Sequence, residues 1–237
     1  MTQLELLTKA EFIRHFAEGT LRLVFVGMSN TGKSRRAERL MNHCCFHMYS
    51  VDEHIARKLG LSDVKEVGVW LGHPDTEGYA ERAAYYLGLE NRYTCLESLE
   101  EIIPKGKNLV FDTTGSVAHL PQETRDWLSD NCLVVYLTLD PSEMRKMVDR
   151  FFNVPKPLIW GGFFHKGDRQ TTEEALRASY PNLVNARSEK YADMANISIP
   201  AVELWDEREE SNEVAGRRIL DAILKRLPGQ EPGKKPW

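Results

Sequence analysis

Five apolar runs recur along the chain: LRLVFV (21–26), CFHMYS (45–50), NLVFDT (108–113), CLVVYLTL (132–139) and the weaker ISIPA (197–201). Stretches with helical spacing lie between them. Most of the runs are nearly continuously apolar rather than alternating, which predicts strands covered on both faces, as in a parallel sheet between two helical layers. The expected fold class is α/β, a three-layer, doubly wound sheet of five parallel strands. Ahead of the first strand, LLTKAEFIRHFA (6–17) places Leu6, Ala10, Ile13 and Ala17 at helical spacing and predicts a short amphipathic helix. GRRILDAILKRL (216–227) predicts a closing helix.

Two segments break this rhythm. FFNVPKPLIWGGFFHKGDRQTTEE (151–174) holds prolines, paired glycines, aromatics and cations without a clean period. A long irregular segment inside a compact unit is usually functional or disordered, and a mobile lid is expected over residues 152–170. PGQEPGKKPW (228–237) has too little apolar content to fold and is expected to be a flexible tail. No linker-like stretch divides the rest, so residues 1–227 are read as one domain with an N-terminal extension over 1–20.

With 237 residues and 42% hydrophobic content, the chain can bury one substantial core. The net charge of −4 comes without a long basic block, so no electrostatic grip on nucleic acid is expected. No stretch approaches the ~18 consecutive apolar residues of a membrane helix. The polar start MTQLELLTK does not read as a secretory signal, and a cytoplasmic protein is expected. Cys44, Cys45, Cys95 and Cys132 lack zinc-type spacing and are expected to be buried, reduced thiols.

Gly27-Met28-Ser29-Asn30-Thr31-Gly32-Lys33-Ser34 matches G-x-x-x-x-G-K-[ST] in full. It follows a strand-like run and precedes the helical RRAERLMNHC. Gly27 and Gly32 allow backbone N–H groups, including those of Asn30 and Thr31, to curl around a polyphosphate. Lys33 brings a point charge toward the β- and γ-phosphates, and the Ser34 hydroxyl is a Mg²⁺ ligand. The expected ligands are ATP and Mg²⁺. NLVFDTTG ends its strand in Asp112, where a Walker-B carboxylate would stand beside the loop; a turn-capping Asp is the plainer reading.

No N-K-x-D segment for guanine, no L-S-G-G-Q signature and no tandem ATPase pattern is present, which leaves a small-molecule kinase as the economical class. YSVDEHIARKLG (49–60), VFDTTGSV (110–117), LVVYLTLDPSEMRKMVDR (133–150), VPKPLI (154–159) and ARSEKYADMANISI (186–199) follow in an order and spacing that resembles shikimate kinase over roughly residues 21–200. The resemblance implies a role for each matching position. Asp52 would hold acceptor hydroxyls and aid deprotonation of the attacking oxygen, and Gly115 would meet the acceptor through its backbone. Arg187 would pair with an acceptor carboxylate, with Arg92 as a second such arginine. Arg150 would lie against adenine, and Lys156 would take the place of the lid arginine that reaches the transferring phosphate.

The chain departs from that pattern at Ser50, where the family has an aspartate that anchors Mg²⁺ through water, and at Thr114-Gly115-Ser116, where it has three glycines. Asp112 could supply the missing carboxylate from the neighbouring strand. Plainer readings stand beside each role: Asp52 as a helix cap, Arg187 as a solvated cation paired with Glu189 or Asp193, Lys156, Lys166 and Arg169 as surface charges, and Trp160, Phe163 and Phe164 as lid packing. The expected activity is ATP- and Mg²⁺-dependent phosphorylation of a hydroxyl on a small, carboxylated acceptor, with shikimate the first candidate. A kinase for a nucleotide, a polynucleotide end or another metabolite, and a nucleotide-binding regulator without acceptor chemistry, are the alternatives.

Overall fold

The computed structural model describes residues 6–43, 45–97, 99, 101–140, 143, 146–149, 156–204, 211–230, 233 and 235–237. In chain order the elements are α1 (Lys9–Glu18), β1 (Arg22–Val26), α2 (Lys33–His43), β2 (Phe46–Ser50), α3 (Val51–Leu59), α4 (Val64–Leu71) and α5 (Tyr79–Thr94). There follow β3 (Asn108–Asp112), α6 (Gln122–Asn131), β4 (Leu133–Thr138), α7 (Thr172–Met194), β5 (Ile197–Pro200) and α8 (Asn212–Arg226).

The five strands form one sheet in the order β2-β3-β1-β4-β5, every pairing parallel. Successive strand residues point to opposite faces. Val24 and Val26 of β1 join Phe111 and Val134 in a core closed by Ile55 of α3, Tyr86 and Leu89 of α5, Leu128 of α6 and Leu183 of α7. Leu23 and Phe25 face the other way, with Val110 and Val135, onto Phe12 of α1, Leu40 of α2 and Ile219, Leu220 and Ile223 of α8. Both faces are buried, which is why the strands read as unbroken apolar runs. β1 is the central strand, and the chain crosses to opposite sides of it to reach β3 and β4. That switch opens a crevice at the carboxyl ends of the strands.

Helix α1 forms where expected, with its buried face in a different phase. Phe12 is fully buried while Ala10 and Ala17 are exposed. Thr8 caps the helix: its hydroxyl accepts from the Glu11 N–H, and the Glu11 carboxylate accepts from the Thr8 N–H. The tail ends with Trp237 packed edge-on against Phe16 at 5.1 Å and against Phe12 at 6.0 Å, its indole N–H donating to Asp221 at 3.1 Å.

Of the expected lid, Lys156 onward is described, and it is tied into the domain. Leu158, Ile159 and Trp160 are buried, and the Tyr79 hydroxyl both donates to the Leu158 carbonyl and accepts from the Trp160 N–H. Bulky apolar side chains find more contact area in the α5–α7 groove than in solvent. The cysteine expectation needs correcting: Cys132 is buried, but Cys45 and Cys95 are exposed, and Cys44 lies outside the described residues. Among the described residues, no helix is long and apolar enough to cross a membrane.

Candidate active site

The turn from β1 into α2 is a compact loop. Gly27 (φ 142°) and Gly32 (φ 84°) occupy backbone regions that side chains rarely adopt, and a Cβ on Gly27 would stand 2.9 Å from the Leu137 carbonyl oxygen. Asn30 also has positive φ, 68°, a conformation that asparagine tolerates better than most residues. The Thr31 hydroxyl closes the loop by donating to the Met28 carbonyl at 2.8 Å. Arg36, buried on α2, donates to the Thr31 and Gly32 carbonyls at 3.0 Å each and to Ala201 at 2.8 Å. That brace is invisible in the sequence, because it depends on β5 lying next to β4.

A cleft of about 260 Å³ opens over the loop, lined by Ser29, Asn30, Gly32, Lys33, Ser34 and Arg35 on one side. Asp52, Val64, Tyr86, Gly115, Lys156 and Pro157 line the other. A larger pocket of about 320 Å³ lies at the amino ends of β1 and β4, lined by Leu6, Leu7, Leu21, Cys132 and Leu133 among others, away from this chemistry.

In the cleft, the Lys33 ammonium donates to the Gly27 and Met28 carbonyls at 2.9 and 3.1 Å. Burial pushes it down to about 8, against the opposing pull of Asp112 and Asp52. Asp112 is 2% exposed, at the end of β3 and paired in register with Phe25 and Ser50. Burial pushes its carboxyl up to about 6, opposed by Lys33 and by a hydrogen bond from Ser34. Its Oδ1 is buried without a hydrogen-bond partner among the described residues. A buried, unpartnered carboxylate oxygen beside a serine hydroxyl and a lysine fits a hard divalent cation that completes its shell with phosphate and water.

Ser50 is the N-cap of α3, accepting from the Glu53 N–H at 3.4 Å. Asp52 is therefore free of the capping role and sits in the first turn of the helix, half-buried, where the Tyr86 hydroxyl donates to its Oδ1 at 3.3 Å. Burial raises its pKa, against Lys33 and Lys156. Lys156 reaches the cleft because its backbone passes over Gly68 of α4, where a Cβ would stand 3.0 Å from the Lys156 carbonyl carbon. Gly115 comes close to the phosphate loop: a Cβ there would meet the Ser29 hydroxyl at 2.6 Å and the Ser29 nitrogen at 3.0 Å.

The two arginines expected at an acceptor carboxylate stand elsewhere. Arg92 is exposed in the last turn of α5 and does not line the cleft, because α5 turns Tyr86 and Glu90 inward and so turns residue 92 out. Arg187 is 1% exposed, and its guanidinium is spent on the protein. Nε donates to His119 Nε2 at 3.0 Å, Nη1 to the Gly115 carbonyl at 2.8 Å and Nη2 to the Ile159 carbonyl. The Tyr191 hydroxyl donates to the same Gly115 carbonyl. Arg150 lies outside the described residues.

Sequence reasoning missed a buried carboxylate behind the cleft. Glu90 is fully buried, with Oε1 accepting from Thr114 and Oε2 from Ser116 at 2.6 Å. The Ser116 N–H donates to the Thr114 hydroxyl at 3.0 Å, and the two hydroxyl oxygens lie 3.0 Å apart. Burial pushes Glu90 up to about 7. The one signal available was Thr114 and Ser116 in a position where glycines were expected.

No family model matches the chain, and no curated protein sequence matches it. Solved structures do. A shikimate kinase from Acinetobacter baumannii in complex with shikimate is 21% identical, with 90% of this chain and 97% of that one covered and a TM-score of 0.51. A shikimate kinase from Bacteroides thetaiotaomicron is 16% identical, with 86% and 98% covered and a TM-score of 0.52. Both likenesses extend over most of the domain, and the chain has a shikimate kinase-like fold.

Proposed function

We propose that the protein is an ATP- and Mg²⁺-dependent phosphotransferase acting on a hydroxyl of a small molecule. The observation that carries this reading is a cleft lined by phosphate-loop residues on one side and a half-buried Asp52 on the other, with an unpartnered Asp112 oxygen buried beside Lys33 and Ser34. Asn30, Thr31 and Gly32 would present backbone N–H groups to the polyphosphate, and Lys33 would leave the Gly27 and Met28 carbonyls to meet it. Ser34 and Asp112 would hold Mg²⁺, whose charge offsets that of the phosphates.

The acceptor hydroxyl would lie against Asp52, oriented by a carboxylate that the Tyr86 hydroxyl holds in place. Its oxygen forms the new bond to the γ-phosphorus, while the bond from that phosphorus to the β,γ-bridging oxygen breaks. ADP leaves with the electron pair, and the hydroxyl proton passes to Asp52, whose raised pKa suits it to receive one. Lys33 and Lys156 would offset charge on the transferring group from two sides, and the rest of the catalysis is positioning.

The shikimate kinase-like fold and the place of Asp52 support this chemistry. The carboxylate in the expected acceptor rested on Arg92 and Arg187, and neither lines the cleft. ADP release from Mg-ATP across polyols, shikimate, gluconate, nucleosides and nucleotides tests the reading. One acceptor class should raise release above the solvent background, and Lys33→Ala should stay folded and lose about a hundredfold or more of that rate. A folded Lys33→Ala variant with near-normal turnover would remove it.

A further inference from the structure

The wall of the cleft that would face the acceptor carries Asp52 and the Tyr86 hydroxyl, with Gly115 alongside and Lys156 at its lid edge. Behind Tyr86 stands Glu90, its carboxylate held by Thr114 and Ser116 in a fully buried pocket. Tyr86 stands between the two acids, donating to Asp52 Oδ1 at 3.3 Å, and its own pKa is raised by burial and by both carboxylates.

The cations are distributed differently. Among the described residues, those lining the cleft are Lys33, Arg35 and Lys156. Lys33 and Arg35 belong to the phosphate loop and its helix, and Lys156 arrives from the lid side. The Arg187 guanidinium, which bonds the Gly115 carbonyl at the edge of this wall, donates also to His119 and Ile159 instead of presenting a fork to the cleft. A carboxylate entering beside Asp52 would meet a second acid behind it, and among the described residues the cleft's one lining guanidinium, Arg35, stands on the phosphate-loop side rather than on this wall.

We infer that the acceptor is a polyhydroxyl compound with no acidic group at the end that enters the Asp52–Tyr86–Gly115 pocket. This inference rests on the phosphotransferase reading and narrows its substrate class. A neutral polyol suits each surface. Its hydroxyls can donate to Asp52 and accept from Tyr86 or a backbone N–H, and Val64 and Pro157 offer apolar contact to its carbon skeleton. A carboxylate offers no proton to Asp52 and is repelled by it.

Matched pairs that differ only in one acidic group decide the question: glucose against glucuronate, and the methyl ester of shikimate against shikimate. Each is assayed at pH 8 and above, where Glu90 carries its charge, for kcat/KM by ADP release and titrated calorimetrically in the presence of a non-hydrolysable ATP analogue. The uncharged member should be favoured about tenfold or more in each pair. Glu90→Gln, which keeps one acceptor oxygen, gives the other hydroxyl an amide N–H to accept from and removes the charge, should narrow that ratio several-fold. Preference for the acidic members, or a ratio that Glu90→Gln leaves unchanged, would overturn the inference while leaving the phosphotransferase reading intact. Binding of the ATP analogue with no acceptor raising ADP release would overturn both.

Discussion

Replacing Arg187 by methionine asks whether that side chain belongs to the acceptor or to the fold. Methionine matches much of the buried length and leaves little cavity, so the main loss is hydrogen bonding. The Gly115 carbonyl keeps its bond from Tyr191, but the Ile159 carbonyl and His119 Nε2 lose the donors that Arg187 supplies. Leaving a buried acceptor unsatisfied costs about 1–3 kcal/mol, so the buried Ile159 carbonyl and the partly buried His119 together put the expected loss of stability at ~2–6 kcal/mol. That is a large share of the ~5–15 kcal/mol available to a typical domain. Urea denaturation at neutral pH reads it as a lower midpoint with an unchanged slope. Arg187→Lys should fall between, because an ammonium reaches some of the three acceptors but not all in the guanidinium plane. An Arg187→Met variant within about 1 kcal/mol of the parent, with its defect confined to the KM of an acidic acceptor, would refute the reasoning and return Arg187 to the substrate.

Asp112→Asn should raise the Mg²⁺ requirement about tenfold or more in a metal-dependence titration of turnover, whereas Ser50→Ala should leave it unmoved and cost about 1 kcal/mol of stability through the lost α3 cap. Glu90 and Asp112 are raised from 4.5 and 3.8 to about 7 and about 6, so the folded protein holds both protons more tightly than the unfolded chain. Their joint contribution to stability is present in full below about pH 4 and is lost as pH climbs through about 7; Glu90→Gln should flatten the decline seen by denaturation between about pH 5 and 8. Gly115→Ala should push the loop at Ser29, whose nitrogen would lie 3.0 Å from the new Cβ, and weaken ATP binding more than acceptor binding in separate titrations. Equal losses for both ligands would place the strain elsewhere.

Local pattern was enough for a good part of this protein. Residues 27–34 carry their geometry with them, because the two glycines, Lys33 and Ser34 lie within eight consecutive positions and need only a strand before and a helix after. The apolar runs likewise announce a sheet buried on both faces, and NLVFD ends in an acid at the edge where the loop stands. Local pattern could also place α1, but not its buried face: Phe12, rather than Ala10 or Ala17, turned inward because α8 and the tail's Trp237 approach from that side.

The direction of single charged side chains was decided only by tertiary contacts. In the sequence, Arg187 is a cation in a charged helix and Glu90 one acid among the charges of α5. Burial of Arg187 depends on the Gly115 and Ile159 carbonyls arriving from segments 72 and 28 residues away, and Glu90 on hydroxyls 24 and 26 residues away. Asp52 and Ser50, two residues apart, divided the cap and the cleft between them once α3 had docked against α5. A helix period says which residues share a face; what that face meets is set by the packing of the other elements, and a buried charge is stable only where that packing supplies its partners.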